Sequence, residues 1–459
     1  MKIQKNINKH IFRGYDIRGI WGEDLTEDVA YTVGLGLGSY IQDLGKKRIV
    51  VGRDNRTSSP ILSNALVKGL LETGVDVVNL GLVTTPMYYF SWDKLGIYSG
   101  IMVTASHNPK EYNGFKFAFD ERGNAKGEMI QDFREYIEKG EFKTGKGKET
   151  KINIEEDYLE LIRNSVDLGS RKVKAVIDAG NGTGSVIIKQ VFGMFDIDPI
   201  YVYCDSDPEF PNHHPDPAIE KNLELVKKKV LKTKADIAIS VDGDADRVGI
   251  IDEKGNYIPA DKFMIIIWRD IMNKVKNKKA LYDVKCSKAL ADEIIKLGGE
   301  PVCYRTGNSY MKAMMKEGDF AFGGELSGHV WFRDRFPGFD DGIYAGLRII
   351  EILSKTKKTV SELLEDINEY YSTPEIFVKV EDSKKFAVVD KVKEYVKEKG
   401  YKYIDIDGIR VETEDGWALV RASQTSPNLT LRFEGKTKEY RDNLYNEFMM
   451  VIEKEIGEI

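Results

Sequence analysis

At 459 residues, with 42% hydrophobic and 31% charged side chains, the chain is too long for one ordinary core and too apolar to be mainly disordered; at about 100 to 200 residues per domain it divides into three or four globular units. Its 68 basic and 74 acidic residues leave a formal net charge of −6, so no global positive field attracts nucleic acid or an anionic membrane. The longest apolar run, Phe263 to Trp268, falls far short of the ~20 residues that span a bilayer, and the amino terminus is polar where a signal peptide needs an apolar stretch. A cytoplasmic protein without a membrane partner is expected. Cys204, Cys286 and Cys303 are odd in number and lack CxxC spacing, which fits free thiols in a reducing compartment.

In chain order, three stretches share one pattern: a charged residue, a short apolar strand, a polar turn carrying Asp, then a helix-like run. The first is the strand from Arg48 with Arg53, Asp54 and Asn55 in its turn and a helix reaching toward Gly74. The second is Lys174 to Asp178 with a Gly-rich turn and a run from Val186; the third is Lys279 to Asp283 followed by Ser287 to Leu297. The marking aspartates lie 124 and 105 residues apart, the spacing of whole domains and not of solenoid repeats. Strands alternating with helical runs predict βαβ units and mixed or mainly parallel sheets, whose ligands bind at strand C-terminal ends. Loop-like composition at Gly140 to Glu156, Glu253 to Asp261 and Ser372 to Pro374 sets expected domains at 1–150, 151–255, 256–372 and 373–459. The last reads as a smaller α+β domain: a helix within Ser383 to Lys399, strands from Tyr403 to Phe433, and a closing helix from Lys438.

Four places could carry chemistry. A strand over Gly100 to Thr104 empties into Ala105, Ser106, His107, Asn108 and Pro109, where a loop serine is either a nucleophile or an ordinary turn residue. A serine-protease site fits poorly, because the pattern is not Gly-x-Ser-x-Gly and an adjacent His is an unfavourable base. After a strand at Asp236 to Val241, Asp242, Asp244 and Asp246 place three carboxylates within five residues, followed by Arg247; such a cluster repels itself unless a hard cation such as Mg²⁺ holds it. An EF-hand is excluded, since Arg247 stands where that loop needs glycine and the flanks are strands. In Gly323 to His329, Glu325, Ser327 and His329 alternate; an extended chain would present all three to one side, and a Gly-rich turn with incidental polar residues is the equal alternative. Arg421, Ser423, Gln424 and Thr425, followed by Arg432, supply guanidinium, hydroxyl and amide groups for a phosphate, or form a polar hairpin. The loop Gly180 to Ser185 lacks the third small residue of a dinucleotide fingerprint, and His213 with His214 in a Pro-rich segment reads as a rigid surface loop and not a zinc site.

Taken in order, Gly14-Tyr15-Asp16-Ile17-Arg18-Gly19, Thr104 to Pro109, Asp242 to Arg247, Gly324 to His329 and Arg421 to Thr425 resemble the α-D-phosphohexomutase family, in its phosphomannomutase/phosphoglucomutase branch. The resemblance implies an α/β protein with three related mixed α/β domains and a smaller C-terminal α+β domain around a central cleft. It implies an isomerase of carbohydrate metabolism that moves phosphoryl reversibly between the 1- and 6-positions of mannose and glucose phosphates. Phosphoglucosamine mutase is the alternative, though Leu326 stands where that branch usually carries Gln, and a metal-dependent sugar phosphatase is a more distant one. Ser106 is then a phosphoserine, a hexose 1,6-bisphosphate is the intermediate and activator, and Mg²⁺ is held by Asp242, Asp244, Asp246 and a Ser106 oxygen. Arg18, Lys116, Arg247 and His329 are implied catalytic residues, with Lys116 and His329 as candidates to move the proton. Tyr15, His107, Lys285, Asn308, Glu325, Ser327, Arg421, Ser423, Gln424 and Thr425 are implied substrate contacts. Asn308 and Gln424 depart from the His and Asn common in this branch. The implied partners are hexose monophosphates, with no nucleic acid, and the implied state is a monomer or small homo-oligomer.

Overall fold

The computed structural model describes residues 1–423 and 427–458. The first region runs β1 (Ile17–Ile20), α1 (Glu27–Asp43), β2 (Arg48–Arg53), α2 (Ser59–Glu72), β3 (Asp76–Leu82), α3 (Thr85–Leu95), β4 (Gly100–Val103), β5 (Tyr112–Ala118), α4 (Glu128–Lys139) and β6 (Glu149–Lys151). Its sheet has the order β1-β5-β4-β2-β3-β6, parallel from β4 to β6 and antiparallel at β5 and β1. Strands β2 and β4 are near-continuous apolar runs because both faces are covered. Thr26 caps α1 by accepting from Val29 N, with Glu27 and Asp28 in the first turn. Helices α1 and α2 meet backbone to backbone: a Cβ on Gly34 would lie 2.3 Å from Leu66 O, so a larger residue there would force the pair apart.

The second region continues with α5 (Glu155–Ser165), β7 (Lys174–Asp178), α6 (Ile188–Gly193), β8 (Asp198–Val202), α7 (Glu224–Thr233), β9 (Ile237–Val241), β10 (Val248–Asp252) and β11 (Tyr257–Ile258). Its sheet order is β11-β10-β9-β7-β8. After α8 (Ala260–Ile271), the third has β12 (Lys279–Asp283), α9 (Lys288–Lys296), β13 (Glu300–Tyr304), α10 (Asn308–Glu317) and β14 (Phe322–Gly324), with β13, β12 and β14 in parallel. β15 (Val330–Phe332) and α11 (Gly342–Ser354) follow. The three-fold pattern of the sequence is present: β4-β2-β3, β9-β7-β8 and β14-β12-β13 are the same parallel core, with the Asp-bearing turn at the end of its middle strand.

The last region has β16 (Tyr371–Ser372), β17 (Ile376–Lys379), α12 (Lys385–Glu398), β18 (Lys402–Ile404), β19 (Ile409–Glu412), β20 (Gly416–Ala422), β21 (Asn428–Gly435) and α13 (Lys438–Glu458). It is an antiparallel sheet in which β16 and β17 both pair with β21, and α12 and α13 cover a core that includes Val392, Leu431 and Phe448. Residues Met1–Phe263 with Ser327–Leu363 form one compact unit, and Met264–Leu326 with the chain from Leu364 onward form the other; the boundary falls within α8. No helix among the described residues is long and apolar enough to cross a membrane.

Three local readings are sharpened by the structure. Gly140 to Glu156 contains β6, which pairs with β3; its three residues are all exposed, so an edge strand of polar and charged residues has no hydrophobic signature. His213 belongs to a loop whose Pro211 and Asn212 are exposed, but its side chain turns inward: it is 7% exposed and its Nε2 lies 3.2 Å from both Asp178 oxygens. Of the two readings of Gly323 to His329, the Gly-rich turn is the one found. After Gly324 it turns, with Val248 N donating to Gly328 O at 3.1 Å. All three cysteines are free, Cys204 and Cys286 buried and Cys303 partly so.

Candidate active site

The chemistry-bearing loops of the first unit leave equivalent strands: Ser106 follows β4 and Asp242 follows β9. Both strands lie inside their sheets, and ligands of such sheets bind beyond strand C-terminal ends. Ser106 takes φ +50°, a left-handed conformation uncommon for a residue with a Cβ, and Thr104 Oγ1 accepts from its N–H at 2.9 Å. The curl brings His107 Nδ1 to 3.3 Å from Ser106 Oγ, a contact that adjacency in an extended chain would not make. The hydroxyl donates to Asp242 Oδ2 at 2.8 Å.

The Asp242 to Asp246 loop wraps its own backbone, with Asp246 N and Arg247 N donating to Asp242 Oδ1 at 3.0 and 3.1 Å. A Cβ on Gly243 would lie 2.4 Å from Ser106 O; glycine is what lets the acidic loop approach the serine backbone. Asp242, Asp244 and Asp246 are fully buried, and one oxygen from each lies within 4.8 Å of the others. Lys116 on β5 bridges the last two, its Nζ 2.8 Å from Asp244 Oδ2 and 2.6 Å from Asp246 Oδ2. Thr85 and Thr104 hydroxyls also donate to Asp244 Oδ2.

Burial, then the charges of Asp246 and Asp244, pushes the Asp242 carboxyl well above the usual range. Burial opposes the charge on Asp244 too, but Lys116, together with hydrogen bonds from Thr85 and Asp242, holds that carboxyl below the usual range. Among the described residues, Asp244 Oδ1 and Asp246 Oδ1 are buried without a hydrogen-bond donor. Buried, donor-free carboxylate oxygens are costly unless a cation meets them, so this donor set fits a metal ion that prefers hard oxygen ligands.

Arg18 on β1 donates to Ala105 O at 2.9 Å, and to Asn108 Oδ1 and Asp16. Tyr15 lies within electrostatic reach of Arg18 and Arg247. Arg247 Nε donates to His329 Nε2 at 2.9 Å, which leaves the imidazole proton on Nδ1, 3.1 Å from Asp340 Oδ2. Burial, followed by the charges of Arg247 and Arg18, pushes His107 well below its usual range and keeps it neutral. Ser327 lies in the turn before His329 and is half-buried.

The neighbouring Asp341 caps α11 by accepting from Tyr344 N and accepts from Tyr158 at 2.6 Å. Burial raises its carboxyl to about 7 from an ordinary 3.8, so between those values the folded state holds a proton that the unfolded state has lost. Stability from this group is present at the acid end and falls as pH rises through that window. Asp341→Asn keeps an acceptor for Tyr344 N, and its stability relative to wild type is expected to rise from pH 4.5 to 7.5 in urea titrations. An offset that is equal at both pH values would refute the assignment.

In the second unit, Lys285 follows the Asp283 turn and lies 3.3 Å from Glu375. Arg421, at the end of β20, meets Asp407 at 3.0 and 3.1 Å, and Asp407 also accepts from Thr306 N at 3.0 Å. Glu325 accepts from Gly307 N at 2.6 Å, beside buried Asn308 at the start of α10. Ser423 N donates to Asn428 O, and Lys385 Nζ donates to Ser423 O. Gln424 and Thr425 lie outside the described residues. Burial disfavours the charge on Glu375, yet Lys285, Arg432 and Arg421 hold its carboxyl below the usual range.

Sequence reasoning missed Thr85, Asp340, Glu375 and Asp407. Only Asp340 carried a local signal, in the acidic pair Asp340-Asp341 before a helix; the others are brought in by tertiary contact.

Four models of one family match the chain: phosphoglucomutase/phosphomannomutase alpha/beta/alpha domains I, II and III at residues 9–144, 156–255 and 259–371, and the C-terminal domain at 375–449. A phosphomannomutase/phosphoglucomutase of Pseudomonas syringae pv. tomato is 38% identical over 97% of this chain and 95% of its own. A phosphoglucomutase of Neisseria meningitidis is 39% identical over 98% of each chain. The crystal structure of a phosphoglucomutase/phosphomannomutase family protein from Burkholderia thailandensis superposes with a TM-score of 0.91, at 37% identity and 98% coverage of both chains.

Proposed function

Because the chain belongs to the phosphoglucomutase/phosphomannomutase family, and is by that membership a phosphohexomutase, we propose that it interconverts the 1- and 6-phosphates of mannose and glucose through a phosphoserine at Ser106 and a hexose 1,6-bisphosphate. The observation that carries the reading is the contact of Ser106 Oγ with Asp242, 2.8 Å away, inside a buried acidic triplet neutralised in part by Lys116. Mg²⁺ bound by Asp242, Asp244, Asp246 and a Ser106 phosphate oxygen would neutralise charge on the transferring phosphoryl group.

The chain's own groups divide the remaining tasks. Ser106 carries the phosphoryl group. Arg18 and Arg247 meet its oxygens. His329 takes the proton of the attacking sugar hydroxyl on Nε2 once Arg247 turns to phosphate, and Asp340 receives the Nδ1–H. Lys116 is unsuited to that proton: burial works against its charge, but Asp244 and Asp246 hold its ammonium well above its ordinary range, so it stays charged and acts by electrostatics. His107 is held neutral beside Ser106 and contacts substrate with Tyr15. Arg421, Ser423, Gln424 and Thr425, with Lys285, hold the non-reacting phosphate, while Glu325, Ser327 and Asn308 read sugar hydroxyls. The acids already on Arg421 and Lys285 moderate that grip, which suits an intermediate that must turn round between two half-reactions.

³¹P NMR tests the proposal: protein, Mg²⁺, a trace of glucose 1,6-bisphosphate, and glucose 1-phosphate or mannose 1-phosphate in separate samples. Growth of the 6-phosphate signal without inorganic phosphate is the expected result. Release of inorganic phosphate alone would replace the mutase with a phosphatase.

A further inference from the structure

The buried Arg56 occupies a place that the phosphoryl-transfer chemistry does not explain. It stands two residues beyond the marking Asp54 at the end of β2, and is 1% exposed. A guanidinium has five N–H donors in a planar fork, and all five are engaged. Nε donates to Asp54 Oδ2 at 3.1 Å. One terminal nitrogen donates to Pro109 O at 2.6 Å and Tyr112 O at 3.0 Å, and the other to Ser106 O at 2.8 Å and Asn108 O at 2.7 Å. Three carbonyls of the serine-bearing loop and one from the start of β5 thus converge on one side chain.

Such convergence has a cost that only a cation of this shape meets. Four carbonyl oxygens aimed at one point repel, and an ammonium with three donors cannot satisfy them together with Asp54. Burial, more than any neighbour, lowers the basicity of Arg56, while Asp54 offsets part of that penalty. Asp54 is itself fixed by donation from Arg56 N at 3.1 Å and from Ser59 Oγ. In a trans peptide the N–H lies opposite the C=O, so gathering these carbonyls turns the N–H groups of His107 and Lys110 away from the guanidinium.

The repeats supply an internal comparison. Two residues past the marking aspartate, the first repeat has Arg56, the second Gly180 and the third Lys285. Asp178 instead holds His213, and Asp283 accepts from Thr306 Oγ1 and Leu326 N. The fork appears in the one repeat whose loop bears the serine at φ +50°.

We propose that Arg56 is the positioning residue of the phosphoryl-carrying loop: its guanidinium holds Ser106 in the left-handed conformation that points Oγ at the acidic triplet. The inference rests on Ser106 as the carrier, so wild-type mutase activity and its phosphoenzyme are measured first, and failure there would refute that reading and not this one. With wild type active, Arg56→Lys and Arg56→Ala are compared for turnover, KM for glucose 1-phosphate, and rate of single phosphorylation by glucose 1,6-bisphosphate, read by intact mass. Melting curves run in parallel. Arg56→Lys keeps a charge for Asp54, and is expected to fold, lose at least about 100-fold in kcat and phosphorylation rate, and keep KM within about threefold. Millimolar guanidinium is expected to restore part of the rate to Arg56→Ala, methylammonium none. Unchanged kcat in Arg56→Lys, a loss confined to KM, equal rescue by both cations, or failure of both variants to fold would each overturn the proposal, the last because the arginine would then serve the fold as a whole.

Discussion

Ser106→Ala is expected to abolish turnover, by at least about 10³-fold, while glucose 1-phosphate still binds. The hydroxyl is 2.8 Å from Asp242 Oδ2, and no side chain takes its place as phosphoryl carrier when it is removed. The loop backbone is held independently, by Thr104 Oγ1 on Ser106 N and by Arg56 on Ser106 O, so the variant loses an oxygen and keeps its fold. Loss of a covalent carrier appears in kcat and leaves ground-state binding intact. A coupled assay with calorimetric titration of glucose 1-phosphate, plus intact mass after exposure to glucose 1,6-bisphosphate, gives three readings. Wild type is expected to gain one phosphoryl group and the variant none. A variant within tenfold of wild-type turnover would remove Ser106 from the reaction.

Lys116→Met is expected to show the largest effect on stability among substitutions in the site. Its Nζ is the positive charge between Asp244 and Asp246, with side-chain exposures of 12%, 0% and 0%. Removing one partner of a buried ionic cluster leaves uncompensated charge and costs about 3–5 kcal/mol. Methionine fills the space of the stem and supplies no charge. The signature that separates electrostatics from packing is a divalent cation: Mg²⁺ should raise the melting temperature of the variant more than that of wild type, because the added charge replaces the missing ammonium. Turnover should fall in step with the lost charge. A variant as stable as wild type in EDTA, or a smaller Mg²⁺ response than wild type, would contradict the role given to Lys116.

How far the sequence could be read follows from which features are local. The repeat was visible because Asp54, Asp178 and Asp283 close short apolar strands buried within their sheets, and both signals sit within a few consecutive residues. The acidic triplet was visible for the same reason. Arg56 was not, although it directly follows the Asp54-Asn55 turn, because its meaning depends on carbonyls 50 to 56 positions away. Thr85 reaches Asp244 across 159 positions, and no pattern of threonines announces that. His213 was placed outside because its Pro-rich surroundings look like surface, whereas its burial depends on an aspartate 35 residues earlier. Glu325, Ser327 and His329 alternate in sequence, but alternation aligns side chains only in extended chain, and a backbone bond to β10 bends this one.

The place of β4 and β9 inside their sheets has a consequence for how the site fails. β4 is bonded to β2 and β5, and β9 to β7 and β10, so neither can open without breaking two ladders at once. Their amides therefore belong with the last to exchange with solvent in the first unit, unlike exposed edges such as β6. The bases of the serine and acidic loops inherit that cooperativity. On heating, those two loop bases are expected to stay in register until the first unit itself melts.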